Sequence, residues 1–232
     1  MPRVQSGAEV TIVVLIYRSL KWLDWCMAGV DSSRQETKYR WLVVSCDGTE
    51  EVRRDPRVSV DWLNIDPKAF YIERVYRAWN EGVLAAPTQK VILMNSDMLG
   101  ASFWVDELMK IKRSFPKSVP TSLLVESGRV PSGMPELVNN FGMHPEEFLR
   151  EEFLMHAAGL RRPGKTEPGR LYMPVLLDRQ EFEDMGRYPE GNPPGTTGDK
   201  DLFARYAAAG YEHLTALGSV VYHCVLGEQN WP

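Results

Sequence analysis

Gln89-Lys90-Val91-Ile92-Leu93-Met94-Asn95-Ser96-Asp97-Met98 is the stretch from which the rest of the chain can be read. Its apolar run, Val91 to Met94, is short and has no polar alternation, which predicts a strand buried on both faces. The run stops abruptly in three small polar residues. Such residues at the carboxyl end of a buried strand stand where open α/β sheets place their ligands. Asn95 and Asp97 are two positions apart, so in an extended chain both side chains point the same way. A lone carboxylate there suits a divalent cation shared with substrate phosphates, because magnesium-type ions keep several waters and take only one or two protein carboxylates. The alternative is that Asn-Ser-Asp caps a following helix.

Upstream, the same arrangement recurs. Val10 to Ile16 is a β-branched run and a predicted first strand, followed by Tyr17-Arg18-Ser19. Tyr17 could stack on a ring and Arg18 could meet a phosphate, or the two could be a rim aromatic and a solvated charge. Ser19 is placed to cap a helix running to Gly29. Tyr39 to Ser45 is a second strand, ending in Ser45-Cys46-Asp47-Gly48-Thr49, with a carboxylate again just past the apolar run. Val58 to Leu63 is a third, weaker strand. Between Tyr71 and Leu84, the residues Ile72, Val75, Tyr76, Trp79 and Val83 recur at helical spacing and predict a core-facing stripe, with Asn80 beside it. Strands and helices therefore alternate up to Asp97, the signature of a parallel sheet with crossover helices.

Downstream, Ser102 to Phe115 reads as a helix and Thr121 to Val125 as a strand. From Gly128 to Gly169 the chain is rich in Pro, Gly, Glu and Arg and contains one helical patch, Pro145 to Ala158. A long excursion of this kind suits a lid or partner-binding element. His144 and His156 lie there and read as surface or packing residues. Leu171 to Leu177 is a further strand, Asp178 to Met185 a helix, and Gly191 to Gly198 a loop rich in Gly and Pro. Asp199-Lys200-Asp201 opens a helix, where carboxylates are favoured by the macrodipole. Asp201 is expected to pair with Arg205 at i, i+4, whereas Asp199 follows the loop and can face a cleft. The strand Ser219 to Tyr222 ends in His223-Cys224.

The bulk properties narrow the classes. The chain has 232 residues, 44% of them hydrophobic and 10% aromatic, enough for a substantial core. A net charge of −4 gives no basic stripe, so no nucleic-acid partner is expected. No apolar run reaches the length of a membrane span and no signal-peptide pattern opens the chain. The three cysteines, Cys26, Cys46 and Cys224, sit in apolar settings and read as reduced core residues of a cytoplasmic protein.

Polar groups thus stand at the ends of separate strands: Tyr17 and Arg18, Asp47, Asn95 and Asp97, and His223. Asp199 heads a later helix. In this order and spacing, the chain from Val10 to Gly227 resembles the family-two glycosyltransferases of GT-A fold, least so between Gly128 and Gly169. Val-Val-Leu-Ile-Tyr-Arg (13–18) is similar to the family's first strand and donor-binding turn, and Ser-Cys-Asp-Gly-Thr (45–49) to its Asp-Asp-Gly-Ser segment. Leu-Met-Asn-Ser-Asp-Met (93–98) resembles its Asp-x-Asp motif in the Asn-x-Asp form, frequent in rhamnosyltransferase-like members. Gly-Asp-Lys-Asp-Leu-Phe-Ala-Arg (198–205) resembles Glu-Asp-x-Asp-Leu-x-x-Arg, and Val-Tyr-His (221–223) the segment whose His completes the metal site. Three positions depart from the family's pattern: Asn95 replaces the first Asp, Gly198 replaces the Glu, and Trp79 replaces the Arg that often precedes the helix Asn.

The resemblance implies an α/β fold: a single GT-A, Rossmann-like domain over 1–232 with a mainly parallel sheet flanked by helices. Residues 9–127 would hold the nucleotide-sugar and 128–232 the acceptor. It implies an inverting, metal-dependent sugar transfer, with Asp97 and His223 binding Mn²⁺ or Mg²⁺ and Asp199 as the base. Tyr17, Arg18, Asp47, Asn95 and Asp97 would bind the donor, a UDP-, dTDP- or GDP-sugar. The acceptor would be a glycan or lipid-linked glycan, which a cytoplasmic enzyme could meet at a membrane surface. The Asn-x-Asp form leans toward dTDP-rhamnose. Two other readings remain. A nucleotidyltransferase also pairs an α/β sheet with a metal carboxylate, but its Gly-rich phosphate loop does not match Tyr17-Arg18-Ser19-Leu20. A non-catalytic member would bind a sugar nucleotide or a protein.

Overall fold

The computed structural model describes residues 7–46, 49–61, 71–129, 134–169, 173–190 and 198–228. Asp47, the loop 191–197 and the start of the expected strand at Leu171 lie outside them. In chain order the elements are β1 (Val10–Ile16), α1 (Leu20–Asp31), β2 (Tyr39–Ser45), α2 (Glu50–Arg54), β3 (Val58–Asp61), α3 (Tyr71–Ala85) and β4 (Lys90–Asn95). Then follow β5 (Met98–Gly100), α4 (Trp104–Ser114), β6 (Ser118–Glu126), α5 (Arg150–Leu160), β7 (Thr166–Pro168), β8 (Val175–Asp178), α6 (Arg179–Asp184), α7 (Gly198–Ala208) and β9 (Glu212–His223).

The strands join one mixed sheet in the order β3-β2-β1-β4-β8-β6-β9-β5, with β7 also on β9. β1 pairs in parallel with β2 and β4, and β2 with β3. β8 is antiparallel to both β4 and β6, and β9 is parallel to β6. Following these directions, β1, β2, β3, β4, β6 and β9 all point the same way, and β5, β7 and β8 run against them. The carboxyl ends of β1, β4, β6 and β9 therefore share one edge of the sheet, and that edge holds the polar residues.

The strands are buried on both faces because their apolar residues serve two cores. Val10, Ile12, Val14 and Ile16 pack with Leu23 and Cys26 of α1 and Leu108 of α4. Val13 and Leu15 pack on the other face with Tyr76 and Trp79 of α3, Phe182 of α6, and Leu202 and Phe203 of α7. A third cluster joins Trp22, Phe141, Phe153 and Tyr222 and brings α5 to the far end of the sheet. Phe141 and Phe153 meet Tyr222 with ring centroids 5.8 and 5.4 Å apart. All three cysteines are buried, and none is in a disulfide among the described residues. Among the described residues, no helix is long and apolar enough to cross a membrane.

Two local readings are corrected. Ser19 does stand at the start of α1, but its side chain makes no capping hydrogen bond. Arg205 does not form an ion pair with Asp201. Its guanidinium turns to the main chain, donating to the carbonyls of Met185 and Arg187, and meets Asp201 only at its carbonyl, 3.3 Å away. The bend after α6 presents carbonyls that lack helical partners, and a planar guanidinium satisfies two at once. His144 and His156 pack against aromatics, 6.3 Å from the Trp22 ring and 5.3 Å from Phe141.

Candidate functional site

Asn95 ends β4, and Ser96-Asp97 turn the chain directly into β5, so the triplet does not cap a helix. β5 runs antiparallel to β9 with Met98 opposite His223. That register carries Asp97 to the end of β9, and the Cys224 N–H donates to the Asp97 carbonyl at 2.9 Å. His223 Nε2 lies 3.8 Å from Asp97 Oδ2. The other ring nitrogen, Nδ1, lies 3.3 Å from Glu126 Oε1. Burial raises the Asp97 pKa above its ordinary value, with His223 pulling the other way. Burial also works against a proton on His223, but Asp97 and Glu126 outweigh it, and the ring's pKa is raised.

The donor set fits a divalent cation. Asp97 Oδ1 is buried with no hydrogen-bond partner. A buried carboxylate oxygen left without a donor is costly unless something electropositive completes it. The two facing donor atoms are 3.8 Å apart, within the span of about 4.2 Å that a small cation with bonds of about 2.1 Å can bridge. Among the described residues, no three His, Cys, Asp or Glu side chains converge as a ready-made cation cage. A cation would thus take two protein side chains and complete its shell with water and substrate oxygens, the habit of magnesium-type ions.

Asp199 sits in the first turn of α7. α3 leaves the carboxyl edge and returns to the start of β4, and α7 leads to the start of β9, so both helices begin at the edge that carries Asp97. Tyr76, in the second turn of α3, stacks on Tyr188 with ring centroids 5.0 Å apart and planes 7° apart. Burial pushes the Asp199 carboxyl up to about 6, and the hydroxyls of Tyr188 and Tyr76 restrain the rise. Asn80 fixes Tyr188 by accepting from its N–H at 3.0 Å and donating to its carbonyl at 2.9 Å. Two departures from the family pattern gain a physical reason here. A Cβ on Gly198 would fall 2.5 Å from Tyr76 Cε2, so the Tyr76 ring occupies the space a Glu would need. Trp79 is 2% exposed and belongs to the core.

Tyr17 and Arg18 lie at the carboxyl end of β1, with the Arg18 guanidinium 4.6 Å above the Tyr17 ring. Their main chain is held by a residue the sequence does not single out. The Glu228 carboxylate accepts from the N–H groups of Tyr17, Arg18 and Ser19 at 3.0, 2.6 and 2.8 Å, and from the Ser96 hydroxyl. These N–H groups precede α1, so the carboxylate fastens the turn between β1 and α1 and leaves the first helical N–H groups to other partners. Just before it, Gly227 backs so closely onto Asp97 that a Cβ would lie 3.0 Å from the Asp97 Cβ.

The structure therefore brings Asp97 and His223 together and adds Glu126; it joins the Tyr17–Ser19 turn to Ser96 through Glu228; and it sets the start of α7, with Asp199, against the Tyr76 ring of the Tyr76–Tyr188 stack. Glu126 was within reach of sequence reasoning, being a carboxylate at the end of a buried strand like Asp97. Glu228 was not, because three of its partners are main-chain groups far away in the chain.

Solved structures with the same architecture include GalNAc-T7 crystallised with UDP, GalNAc and Mn²⁺, which superposes with a TM-score of 0.63 at 13% identity over 92% of this chain. The 1–349 fragment of TarS from S. aureus superposes with a TM-score of 0.60, also at 13% identity, over 94% of this chain. The fold is the GT-A glycosyltransferase fold. This chain spans 42% of the GalNAc-T7 chain and 61% of the TarS chain. No protein-family model matches the sequence, and no curated protein matches it. The GT-A likeness is thus one of architecture, carried by the sheet order and its flanking helices.

Proposed function

We propose that this chain is a metal-dependent glycosyltransferase that moves a sugar from a nucleotide-sugar to an acceptor hydroxyl with inversion at the anomeric carbon. The observation that carries the reading is the facing pair Asp97 and His223 at the carboxyl edge, with its unpartnered carboxylate oxygen. The Mn²⁺ and UDP named for the GalNAc-T7 crystal favour a cation and a nucleotide diphosphate at the corresponding edge. Asp97 and His223 Nε2 would hold Mn²⁺ or Mg²⁺, which when bound neutralises charge on the departing diphosphate.

The remaining roles fall to this chain's own residues. Asp199 accepts the acceptor's hydroxyl proton while that oxygen bonds to the anomeric carbon, on the face opposite the leaving group. The bond from that carbon to the diphosphate breaks, its electron pair leaves with the nucleotide, and the proton remains on the Asp199 carboxyl. A carboxyl pushed up to about 6 is ionised at neutral pH yet basic enough to take that proton. Tyr17 and Asp47 would hold the base, Arg18 the phosphates and Asn95 the donor beside Asp97. Residues 9–127 would form the nucleotide-sugar half and 128–232 the acceptor half. The donor would be a UDP-, dTDP- or GDP-sugar, with dTDP-rhamnose favoured by the Asn-x-Asp form, and the acceptor a glycan or lipid-linked glycan.

The test is a thermal-shift series with UDP, dTDP and GDP, each with and without Mn²⁺, followed by release of nucleotide from the matching sugar donor. A ligand that binds only the folded state raises the melting temperature by mass action. A metal-dependent shift for one nucleotide, with turnover that Asp199→Asn abolishes and nucleotide binding that it spares, is the expected result. No shift with any nucleotide, or full activity in Asp199→Asn, would sink the proposal.

A further inference from the structure

The pairing of β6 with β9 sets Glu126 directly beside His223. The two strands are parallel and these two residues are register partners at the ends of both strands. Partners in register send their side chains to the same face of a sheet. The main chain pins both: the Ser127 N–H donates to the His223 carbonyl and the Asn139 N–H to the Glu126 carbonyl, each at 3.0 Å. Glu126 is 3% exposed, and its Oε1 faces His223 Nδ1 at 3.3 Å. His223 Nε2 faces Asp97 on the opposite side of the ring.

A neutral imidazole carries one N–H and one lone pair, and the hydrogen bond made by one nitrogen decides which is which. Both ring nitrogens face a carboxylate, but only Nδ1 has one within hydrogen-bond distance, at 3.3 Å against 3.8 Å for Nε2, so the proton of the neutral ring stays on Nδ1. The lone pair is then left on Nε2, aimed at Asp97. We infer that Glu126 is a positioning residue that fixes the tautomer and ring orientation of His223 and so makes Nε2 a metal donor. This rests on the reading of Asp97 and His223 as the cation's protein ligands. A carboxylate behind a ligating His raises its basicity, and losing such a partner weakens metal binding by about 10- to 100-fold.

The test uses the whole chain and the variants Glu126→Ala and Glu126→Gln. The first readout is the ¹⁵N spectrum of His223 without metal at alkaline pH, where the ring is neutral. The wild-type ring is expected as the Nδ1–H tautomer, and Glu126→Ala is expected to shift toward the Nε2–H form. The second readout is Mn²⁺ affinity by paramagnetic resonance in the presence of nucleotide. It should fall about 10- to 100-fold in Glu126→Ala. In Glu126→Gln it should fall less, since the amide oxygen still accepts from Nδ1 but the amide can also turn its N–H to the ring. Glu126→Leu, which fills the space but cannot accept from Nδ1, is the variant that stands in if Glu126→Ala does not fold, and unchanged affinity with an unchanged tautomer in it would overturn the proposal. A wild-type protein that binds no Mn²⁺ would refute the metal reading and the donor role with it. Wild-type binding that Glu126→Ala leaves intact would refute the role of Glu126 alone.

Discussion

Burying the Asp199 carboxylate, the proposed base, works against the fold that holds it. The Asp199 pKa is raised to about 6 in the folded chain, against about 3.9 for a free Asp. The folded state then binds the proton more tightly than the unfolded state, so this residue's contribution is most favourable at low pH and is lost as pH rises through about 6. Asp199→Asn should therefore stabilise the protein above that pH, by on the order of 1–3 kcal/mol, while ending transfer. Urea denaturation at acidic and at neutral pH checks it, and a gain that is not larger at neutral pH would contradict the assignment. On the proposed role of Asp199, sugar transfer should lose rate as pH falls through about 6. Tyr188→Phe removes a hydroxyl that holds this carboxyl down, so the acid limb of the rate profile should move to higher pH. Asp97, Asp199 and His223 were legible because each ends a strand or opens a helix, where polarity has no packing reason. Their distances were not legible, since Asp97 meets His223 only through the pairing of β5 with β9.

At the scale of elements, the long apolar strands and α3 were readable because two cores demand apolar residues on both sides of a strand and on one stripe of a helix. The three-residue strands β5 and β7 were not. Each is too short to show a period, and both gain strand form only by pairing with β9. β8 shows a different limit: Val175-Leu176-Leu177 announces a buried strand, but nothing in those side chains says that it runs against its neighbours. The packing of α3 on β1 and β2 makes a sharp prediction. A Cβ on Gly82 would lie 2.6 Å from Val13 Cγ1 and 2.9 Å from Val44 Cγ2. Gly82→Ala should push the helix off the sheet and cost about 1–3 kcal/mol. Gly159 in α5 has nothing within 4 Å of its Cβ position, so Gly159→Ala should be neutral or gain up to about 1 kcal/mol from helix propensity. Parallel denaturation curves for the two variants would show whether space, rather than the loss of a glycine, decides the sign.

For the whole molecule, the order of the sheet gathers residues 17, 97, 126, 199, 223 and 228 to one edge, although they are spread over most of the chain. Glu228 closes that edge. Burial raises its pKa, and the hydrogen bonds from Ser96 and the Tyr17–Ser19 main chain restrain the rise. Glu228→Ala would leave the three N–H groups of the Tyr17–Ser19 turn without their acceptor, a loss of about 1–3 kcal/mol. Glu228→Gln keeps an acceptor oxygen and should lose less. Equal melting temperatures for the two variants would mean that the carboxylate only fills space.

The closure by Glu228 also bears on how the chain is made. The Tyr17 N–H finds its acceptor 211 positions later. At about 5–20 residues per second of synthesis, that is a wait of about 10–40 s. During it β1 and α1 can form and begin to pack, but the Tyr17–Ser19 turn between them stays open to water or to any passing anion. The turn that would meet the nucleotide is finished only once Glu228 has been made and has folded back onto it.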